Sequence, residues 1–261
     1  MIVVKFGGHA MKDENGNFAK AISAALAQGE KVVVVHGGGP QIDAALKAKS
    51  ITSDWIGGFR VTTKEIFDVV EDVLVNQVGH EVAATLAKSG IKAKAISARA
   101  LPTVIAKRRT TLIDGTPADL GFVGEVQSVN PAQLLELIEQ GYVPVVAPVS
   151  SDEDLKTGLN VNADFAAASI AAALEASQLI VMTDVAGIYR NWPDKTTLIE
   201  SISASDLESI KAGFAEGMAP KVQAALDALS YGAQAVRIID GTDPDSFASA
   251  LAGTGGTLVV A

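Results

Sequence analysis

Short apolar runs alternate along the chain with longer segments rich in alanine, leucine, lysine and glutamate. The apolar runs are nearly continuous, which is typical of strands buried on both faces of a sheet. Their alternation with helical segments predicts an α/β fold with a mainly parallel sheet and helices on both faces. The predicted strands are IVVKF, KVVVV, KAKAIS, PTVIAKR, YVPVVAP, QLIVMT, AVRIID and TLVVA. The predicted helices cover residues 17–28, 41–49, 63–88, 131–140, 164–176, 204–211 and 220–231.

Two stretches interrupt this alternation. The section from Val104 to Val126 is rich in turn residues and contains the turn signal Asp114-Gly115, which predicts hairpins at a sheet edge or over a cleft. The string PVSSDEDL interrupts the pattern near residues 150–154. We divide the chain there into lobes of about 1–150 and 151–261. Because no flexible linker joins them, they are expected to be lobes of one domain.

Composition excludes several classes of function. The 261 residues carry 30 acidic and 21 basic side chains, a net charge of −9, which argues against a nucleic-acid partner. A few lysines in a cleft can still attract a small anion. The chain has no cysteine, which excludes disulfides, thiolate nucleophiles and cysteine-ligated zinc. The three histidines, His9, His36 and His80, are too widely spaced to form a metal-ligand pattern.

Neither targeting nor membrane signals are evident. The apolar run before Lys5 is too short for the core of a signal peptide. The most apolar helical candidate, FAAASIAAALEA, is too short to span a bilayer. We therefore expect a cytoplasmic protein that acts away from membranes.

Two glycine-rich turns, VVKFGGHA and VVVVHGGGP, follow two early strands. Neither matches a P-loop or a dinucleotide-binding fingerprint, and the chain has no GxSxG motif that would make HGGG an esterase loop. Consecutive glycines expose backbone N–H groups, and a helix N-terminus adds positive potential, so together they form an anion cradle. The alternative is two tight strand-to-helix turns, with Pro40 in the first helical turn. Two such turns after neighbouring strands favour phosphate binding.

Three polar clusters accompany these turns. Lys5 ends an apolar strand, where a lysine is costly unless its ammonium meets an anion or reaches water. Asn160, Asn162 and Asp164 occupy alternate positions before an alanine-rich helix; N-capping explains one of them, and three in register suggest a site. Lys221 stands in the first turn of a helix, against the helix dipole, where a docked polyphosphate would stabilise it.

The strand QLIVMT ends in polar residues that we assign to the same predicted ligand site. Thr183 and Asp184 follow its apolar part, and Gly187 comes shortly after. Polar residues at the carboxyl end of a parallel strand commonly line the ligand crevice of an open α/β sheet.

Together these segments resemble the amino acid kinase family over nearly the whole chain. The resemblance rests on seven motifs in family order: VKFGGHAM, HGGGPQI, GFRVT, DLGFVGEV, NVNAD, TDVAGIY and GMAPKV. It is strongest with the members that phosphorylate N-acetyl-L-glutamate. It implies a three-layer αβα sandwich whose N-terminal lobe binds the acceptor and forms a homodimer, and whose C-terminal lobe binds MgATP. It also implies transfer of the γ-phosphoryl group of ATP to the side-chain carboxylate of the acceptor.

The resemblance implies a role for each matched residue. Lys5 and Lys221 would hold phosphoryl oxygens, and Asp164 would fix both ammonium groups. The phosphate cradle would comprise Gly7, Gly8, Gly38 and Gly39. The acceptor would meet Gly38, Gly39, Arg60, Asn160 and Asn162. The nucleotide would lie near Thr183, Asp184, Gly187, Ile188, Met218 and Lys221. Mg²⁺ would be held by phosphate oxygens and water, since no dedicated carboxylate cage is visible in the sequence.

Two alternatives stay open on the sequence. A sister kinase would act on aminoadipate or glutamate held by a carrier protein, but the string NVNAD favours the free acetylated amino acid. A catalytically silent amino-acid-binding protein on the same fold would be free to lose Lys5, Asp164 and Lys221, yet all three are present.

The expected assembly is a two-fold homodimer. Arginine-inhibited relatives carry an additional helix before the first strand, and that helix links dimers into a hexamer. Here the first strand begins at Ile2, so we expect an arginine-insensitive dimer. The string NWPDKTTL is a contrary indication, because it resembles a loop of arginine-sensitive relatives.

Overall fold

The computed structural model describes residues 1–7, 16–100, 102–214, 217–243 and 245–261. Within them the strands are β1 (Ile2–Phe6), β2 (Val32–His36), β3 (Trp55–Ile56), β4 (Phe59–Arg60), β5 (Ala93–Ser97), β6 (Val104–Arg108), β7 (Val123–Val129), β8 (Val143–Ala147), β9 (Val149–Ser151), β10 (Gly158–Val161), β11 (Gln178–Thr183), β12 (Ser201–Ser203), β13 (Ala235–Asp240) and β14 (Thr257–Val260). The α-helices of the same residues are α1 (Asn17–Ala27), α2 (Gly39–Ala48), α3 (Lys64–Glu71), α4 (Gly79–Lys88), α5 (Ala132–Glu139), α6 (Ala163–Ala173), α7 (Ala204–Ile210), α8 (Ala219–Ser230) and α9 (Ser246–Leu251).

An eight-stranded sheet runs through the centre in the order β12-β14-β13-β11-β1-β2-β8-β5. Its neighbouring strands are parallel except β13 and β14. Alternate side chains of each buried strand enter two separate cores. Val3 packs in the core formed with α5, α6, α7 and α8, whereas Val4 packs in the core formed with α1 to α4 and α9. These layers confirm the predicted three-layer αβα sandwich.

The eight strands and seven helical segments predicted from the sequence are all present, with ends shifted by up to three residues. The predicted helix 63–88 is interrupted by a π-helical segment, Asp72–Val78, between α3 and α4. Five short strands (β3, β4, β9, β10 and β12), the longer strand β7 and α9 were not predicted. The short elements contain too few residues for a periodic pattern, so only their tertiary contacts define them.

The turn-rich section folds as predicted into a hairpin, formed by β6 and β7 with a bulge near Ile105. These strands close with β9 and β10 into a small four-stranded sheet beside the main one. The division near residue 150 falls within β9, which pairs with β6 and β10. The central sheet continues through both parts of the chain, because β1 pairs with β11 in parallel register.

No helix of the described residues combines the length and the apolar character that a membrane span requires.

Candidate active site

A cavity of about 420 Å³ opens at the carboxyl ends of β1 and β2, where the crevice of a parallel sheet is expected. The glycine turn 37–39 and the N-terminal turns of α6 and α8 form its walls. The predicted residues that line it are Lys5, Gly38, Gly39, Arg60, Asn160, Asn162, Asp164 and Lys221. The fold thus brings together residues from both ends of the chain.

Asp164 lies between two lysines at the inner end of this cavity. Its Oδ1 is 3.1 Å from Lys5 Nζ, and its Oδ2 accepts a hydrogen bond of 3.1 Å from Lys221 Nζ. Lys5 comes from the end of β1, Asp164 from the first turn of α6, and Lys221 from the first turn of α8. One carboxylate therefore fixes two ammonium groups that belong to different elements.

The charges in this triad are strongly coupled because they are buried; Asp164 is only 3% exposed and Lys5 only 7%. Burial favours the neutral carboxyl, but the positive charges of Lys221 and Lys5 outweigh it and lower the pKa of Asp164 to about 2. Burial lowers the pKa of Lys5, and the charge of Lys221 adds to this, against the opposing effect of Asp164. An incoming phosphate would favour the protonated form of Lys5.

The second glycine turn packs tightly against the protein on one side. A Cβ on Gly38 would lie 2.6 Å from Cδ2 of Leu74, which belongs to the π-helical segment. A Cβ on Gly39 would meet nothing within 4 Å. A side chain at Gly38 would therefore have to displace the Leu74 methyl group, whether or not a ligand is bound. Gly39 has open space around it.

The first glycine turn lies directly beside the second. A Cβ on Gly7 would be 3.3 Å from Lys5 Nζ and 3.4 Å from the Cα of Gly37. Gly7 therefore leaves room for the Lys5 ammonium and for the close approach of the two turns. Gly8, the other predicted member of the phosphate cradle, lies outside the described residues.

Arg60 is buried on the opposite wall of the cavity, with its guanidinium already engaged. It donates a 2.6 Å hydrogen bond from Nη1 to Ser53 Oγ, and its Nη2 lies 2.7 Å from Oδ1 of Asp43. Its Cζ lies 4.6 Å from the ring centroid of Trp55, on the β3–β4 hairpin. These contacts orient the guanidinium at the cavity wall.

The two asparagines have different roles in the structure. Asn160, on β10, donates from Nδ2 to Oγ1 of Thr62 at 3.1 Å. The extended segment ends at Val161, so the three alternate positions of the NVNAD region do not share one strand. Asn162 instead caps α6, and its Oδ1 accepts a 2.7 Å hydrogen bond from the N–H of Asp164. The capping explanation thus holds for Asn162, which fixes the start of the helix that carries Asp164.

A second cavity, of about 540 Å³, shares Gly217 with the first. The predicted residues Thr183 and Met218 line it. Three aromatic residues, Tyr189, Trp192 and Phe214, are among those that line it. This composition suits a flat apolar ring system, because aromatic faces stack on one.

The remaining predicted nucleotide contacts lie outside the lining of both cavities. Asp184 is exposed after β11, and its charge partly offsets the fall in the pKa of Lys5 that burial causes. Ile188 is fully buried in the core, and its N–H donates to Thr257 Oγ1 at 2.8 Å. A Cβ on Gly187 would be 2.5 Å from that same oxygen. Gly187 and Ile188 therefore pack the loop after β11 against Thr257 and do not line either cavity.

Several residues of the site were not predicted from the sequence: Asp43, Ser53, Trp55, Tyr189, Trp192 and Phe214. Asp43 follows the glycine turn by one helical turn, and that spacing could have placed it beside the cavity. The aromatic residues carry no local signal, because aromatic side chains occur both in cores and on surfaces.

The donor chemistry of the cavity suits an anion more than a directly bound metal. Among the described residues, no group of three or more His, Asp or Glu side chains could hold a metal ion. The carboxylate in the first cavity, Asp164, has both oxygens directed at ammonium groups. These residues fit a Mg²⁺ ion that phosphate oxygens and water coordinate.

Comparison with known proteins places the chain in a family. A sequence profile of the amino acid kinase family matches residues 1–240. The chain is 44% identical over 246 residues to an acetylglutamate kinase of Nocardia farcinica, covering 94% of this chain and 81% of that one. It is 41% identical over 243 residues to an acetylglutamate kinase of Corynebacterium glutamicum, covering 92% and 82%. The crystal structure of smu.665 from Streptococcus mutans superposes with a TM-score of 0.83 at 28% identity, covering 99% and 98% of the two chains. This chain belongs to the amino acid kinase family.

Proposed function

We propose that this protein is an acetylglutamate kinase, which transfers the γ-phosphoryl group of ATP to the side-chain carboxylate of N-acetyl-L-glutamate in arginine biosynthesis. The observation that carries the proposal is the carboxylate of Asp164, bridged to Lys5 and Lys221 beside the glycine turn. Relatives named acetylglutamate kinase, 41–44% identical over most of their length, support the choice of acceptor.

The reaction requires charge stabilisation rather than proton abstraction. A carboxylate is already a nucleophile, so the acceptor needs no general base. The obstacle is the approach of two anions and the charge on the transferred group, so catalysis consists of positioning and electrostatic stabilisation. Lys5 neutralises phosphoryl oxygens on the acceptor side, and Lys221 does so on the donor side. Asp164 holds both ammonium groups in place before the substrates bind.

The acceptor binds in the first cavity. Arg60 holds its α-carboxylate through the planar guanidinium, which matches a carboxylate with two parallel hydrogen bonds. Asn160 lies on the same wall and hydrogen bonds the acceptor's polar groups. The N–H groups of the glycine turn hold the moving phosphoryl group, supported by the N-terminus of α2.

ATP binds across Gly217, with its phosphates towards Lys221 and its base in the aromatic cavity. Mg²⁺, carried by the phosphates, would neutralise charge on the nucleotide. On this arrangement the lobe of residues 1–150 serves the acceptor and the lobe of residues 151–261 serves the nucleotide.

We further propose that the protein works as a homodimer in the cytoplasm, where ATP is available. The edge strand β5 hydrogen bonds to only one neighbour, β8, among the described residues, which leaves an edge at which a second subunit could add. Light scattering of the purified protein tests this, and a monomeric mass at working concentration would contradict it.

The function is tested by ADP release with a panel of acceptors: N-acetyl-L-glutamate, N-acetyl-L-aspartate, and L-glutamate and L-aminoadipate both free and bound to a carrier protein. We expect ATP turnover that depends on N-acetyl-L-glutamate and is at least about tenfold faster than with the free amino acids. Turnover only with carrier-bound glutamate or aminoadipate would identify a sister kinase. Tight acceptor binding without any turnover would identify a binding protein.

A further inference from the structure

His36 is a buried polar side chain for which phosphoryl transfer, as described above, provides no role. It ends β2 immediately before the three glycines and is fully buried. Its ring lies against the first residue of α4, where a Cβ on Gly79 would be 3.1 Å from Nε2. Burying an imidazole is costly, so its contacts need an explanation.

The His36 ring makes one hydrogen bond to the described residues, and this bond defines its tautomer. Nδ1 lies 2.9 Å from the carbonyl oxygen of Gly37, and because a carbonyl only accepts, Nδ1 carries the proton. Nε2 has no hydrogen-bond partner among the described residues. Burial lowers the pKa of His36 to about 4, partly opposed by the bond to Gly37, so the ring is neutral near pH 7.

That hydrogen bond fixes the peptide that joins Gly37 to Gly38. In a trans peptide the C=O and the N–H point to opposite sides. The Gly37 carbonyl faces the His36 ring, so the Gly38 N–H faces away from it. The structure shows no acceptor for this N–H among the described residues, and Gly38 lines the acceptor cavity.

Two further contacts hold the residues on either side of this peptide in place. The N–H of Gly37 donates to the Phe6 carbonyl at 2.7 Å, which ties the turn to the end of β1. The Leu74 side chain of the π-helical segment packs so closely that a Cβ on Gly38 would lie 2.6 Å from it. Neither contact orients the Gly37 carbonyl, and His36 is the side chain that does.

We propose that His36 is a positioning residue for phosphoryl transfer: its Nδ1–H holds the Gly37 carbonyl so that the Gly38 N–H points into the cavity, ready for the transferred phosphoryl group. This inference rests on the proposed function. The N–H is thereby oriented before the substrates arrive, and it need not reorganise as charge develops on the phosphoryl oxygens.

The kinetic test compares two replacements of His36. His36→Asn keeps an N–H donor at nearly the position of Nδ1, whereas His36→Leu fills a similar volume without a donor. We expect His36→Leu to lower kcat about tenfold or more, with the KM of both substrates changed less than about threefold. His36→Asn should recover most of kcat. His80→Leu is the matched control, because exposed His80 makes the same Nδ1 contact, 2.9 Å to the carbonyl of Val75, away from the cavity.

A merely structural role predicts a different pattern. His36→Asn would then be as impaired as His36→Leu, or the losses in kcat would follow the losses in thermal stability of the variants. Either result would overturn the proposal.

A spectroscopic measurement separates this inference from the proposed function. The ¹⁵N chemical shifts of the histidine rings in labelled wild-type protein report which nitrogen carries the proton. We expect His36 to be neutral and protonated at Nδ1 at pH 7, assigned by its loss in His36→Asn. A proton on Nε2 would refute the positioning role even in an active kinase. Failure of ADP release, with an Nδ1–H tautomer intact, would refute the kinase function and with it the role in phosphoryl transfer, but not the hydrogen bond that orients the Gly37 carbonyl.

Discussion

The two cavities that meet at Gly217 are built in opposite ways. The first takes its charged groups from the ends of β1, α6 and α8, and those groups are buried and fix one another. The second takes its lining mostly from loops and presents aromatic side chains, of which Trp192 is 58% exposed. Stabilising charge in a transition state requires donors held in place, and regular elements hold them. Binding an apolar ring requires only an apolar contact surface, which loop residues can supply.

The two cavities also differ in the free energy that their side chains cost the folded state. Buried charges are desolvated at a cost of several kcal/mol each unless they are paired. Ion pairing offsets that cost among Lys5, Asp164 and Lys221. Removing any one of the three leaves a buried charge without its partner. The aromatic cavity has no such coupling. Changing one of its residues should therefore have a smaller effect.

The largest effects should follow from breaking the charged group. Lys5→Ala and Lys221→Ala should each lower kcat at least about 100-fold, because each removes a preorganised positive charge from the developing phosphoryl group. Steady-state ADP release with both substrates saturating measures this. Lys107→Ala, which removes an exposed lysine paired with Glu125, is the control and should retain activity. Near-native turnover in both cavity variants would show that the lysines do not act on the reaction.

The next effect concerns the acceptor wall. Arg60→Lys should raise the KM for N-acetyl-L-glutamate about tenfold while the KM for ATP changes less than about twofold, because a lysine cannot form the guanidinium fork. Varying each substrate at saturating concentrations of the other separates the two constants. An increase confined to the KM for ATP would show that Arg60 contacts the nucleotide and not the acceptor.

A smaller effect is expected in the aromatic cavity. Trp192→Ala should raise the KM for ATP about threefold with little change in kcat, because the exposed indole contributes stacking and no charge. Its ring lies 5.3 Å from that of Tyr189, which limits its orientation. Tyr231→Ala is a matched control, since Tyr231 is 73% exposed and lines neither cavity. Equal effects of the two substitutions on the KM for ATP would show that the base of ATP does not bind in the aromatic cavity.

The last effect is a dependence of stability on pH, which concerns the fold and not the turnover. The pKa of Asp164 is about 2, below its ordinary value of 3.8, so its ionised form stabilises the fold by about 2 kcal/mol. That contribution is complete above pH 4 and is lost as the pH falls towards 2. Urea unfolding of wild type and Asp164→Asn should therefore show a stability difference that is constant from pH 5 to 7 and shrinks below pH 4. A difference that does not change with pH would mean that Asp164 is not held ionised by the lysines.

The sequence predicted the framework better than the site. Continuous apolar strands identified the sheet, because strands buried on both faces require them. The position of Lys5 at the end of such a strand was anomalous enough to predict a site. Its contact with Asp164 could not be derived from spacing, because 159 residues separate the two along the chain. The family resemblance supplied that pairing, and the structure shows the two groups in contact.

The rest of the site depends on contacts between distant elements. The packing of Leu74 against Gly38 needs the π-helical segment, in which i→i+5 hydrogen bonds replace the i→i+4 bonds of an α-helix. The ion pair of Arg60 with Asp43 needs a hairpin of two-residue strands, too short for a recognisable pattern. Tertiary packing alone defines these features.

The central claim, transfer of a phosphoryl group from ATP to the carboxylate of N-acetyl-L-glutamate, is tested most directly by trapping the product. Hydroxylamine converts an acyl phosphate into a stable hydroxamate, which can be quantified beside the ADP formed. We expect one hydroxamate of N-acetylglutamate for each ADP released by the wild-type protein, and at least about 100-fold slower formation of both in Lys221→Ala. ADP release without hydroxamate, or equal rates in the two proteins, would contradict it.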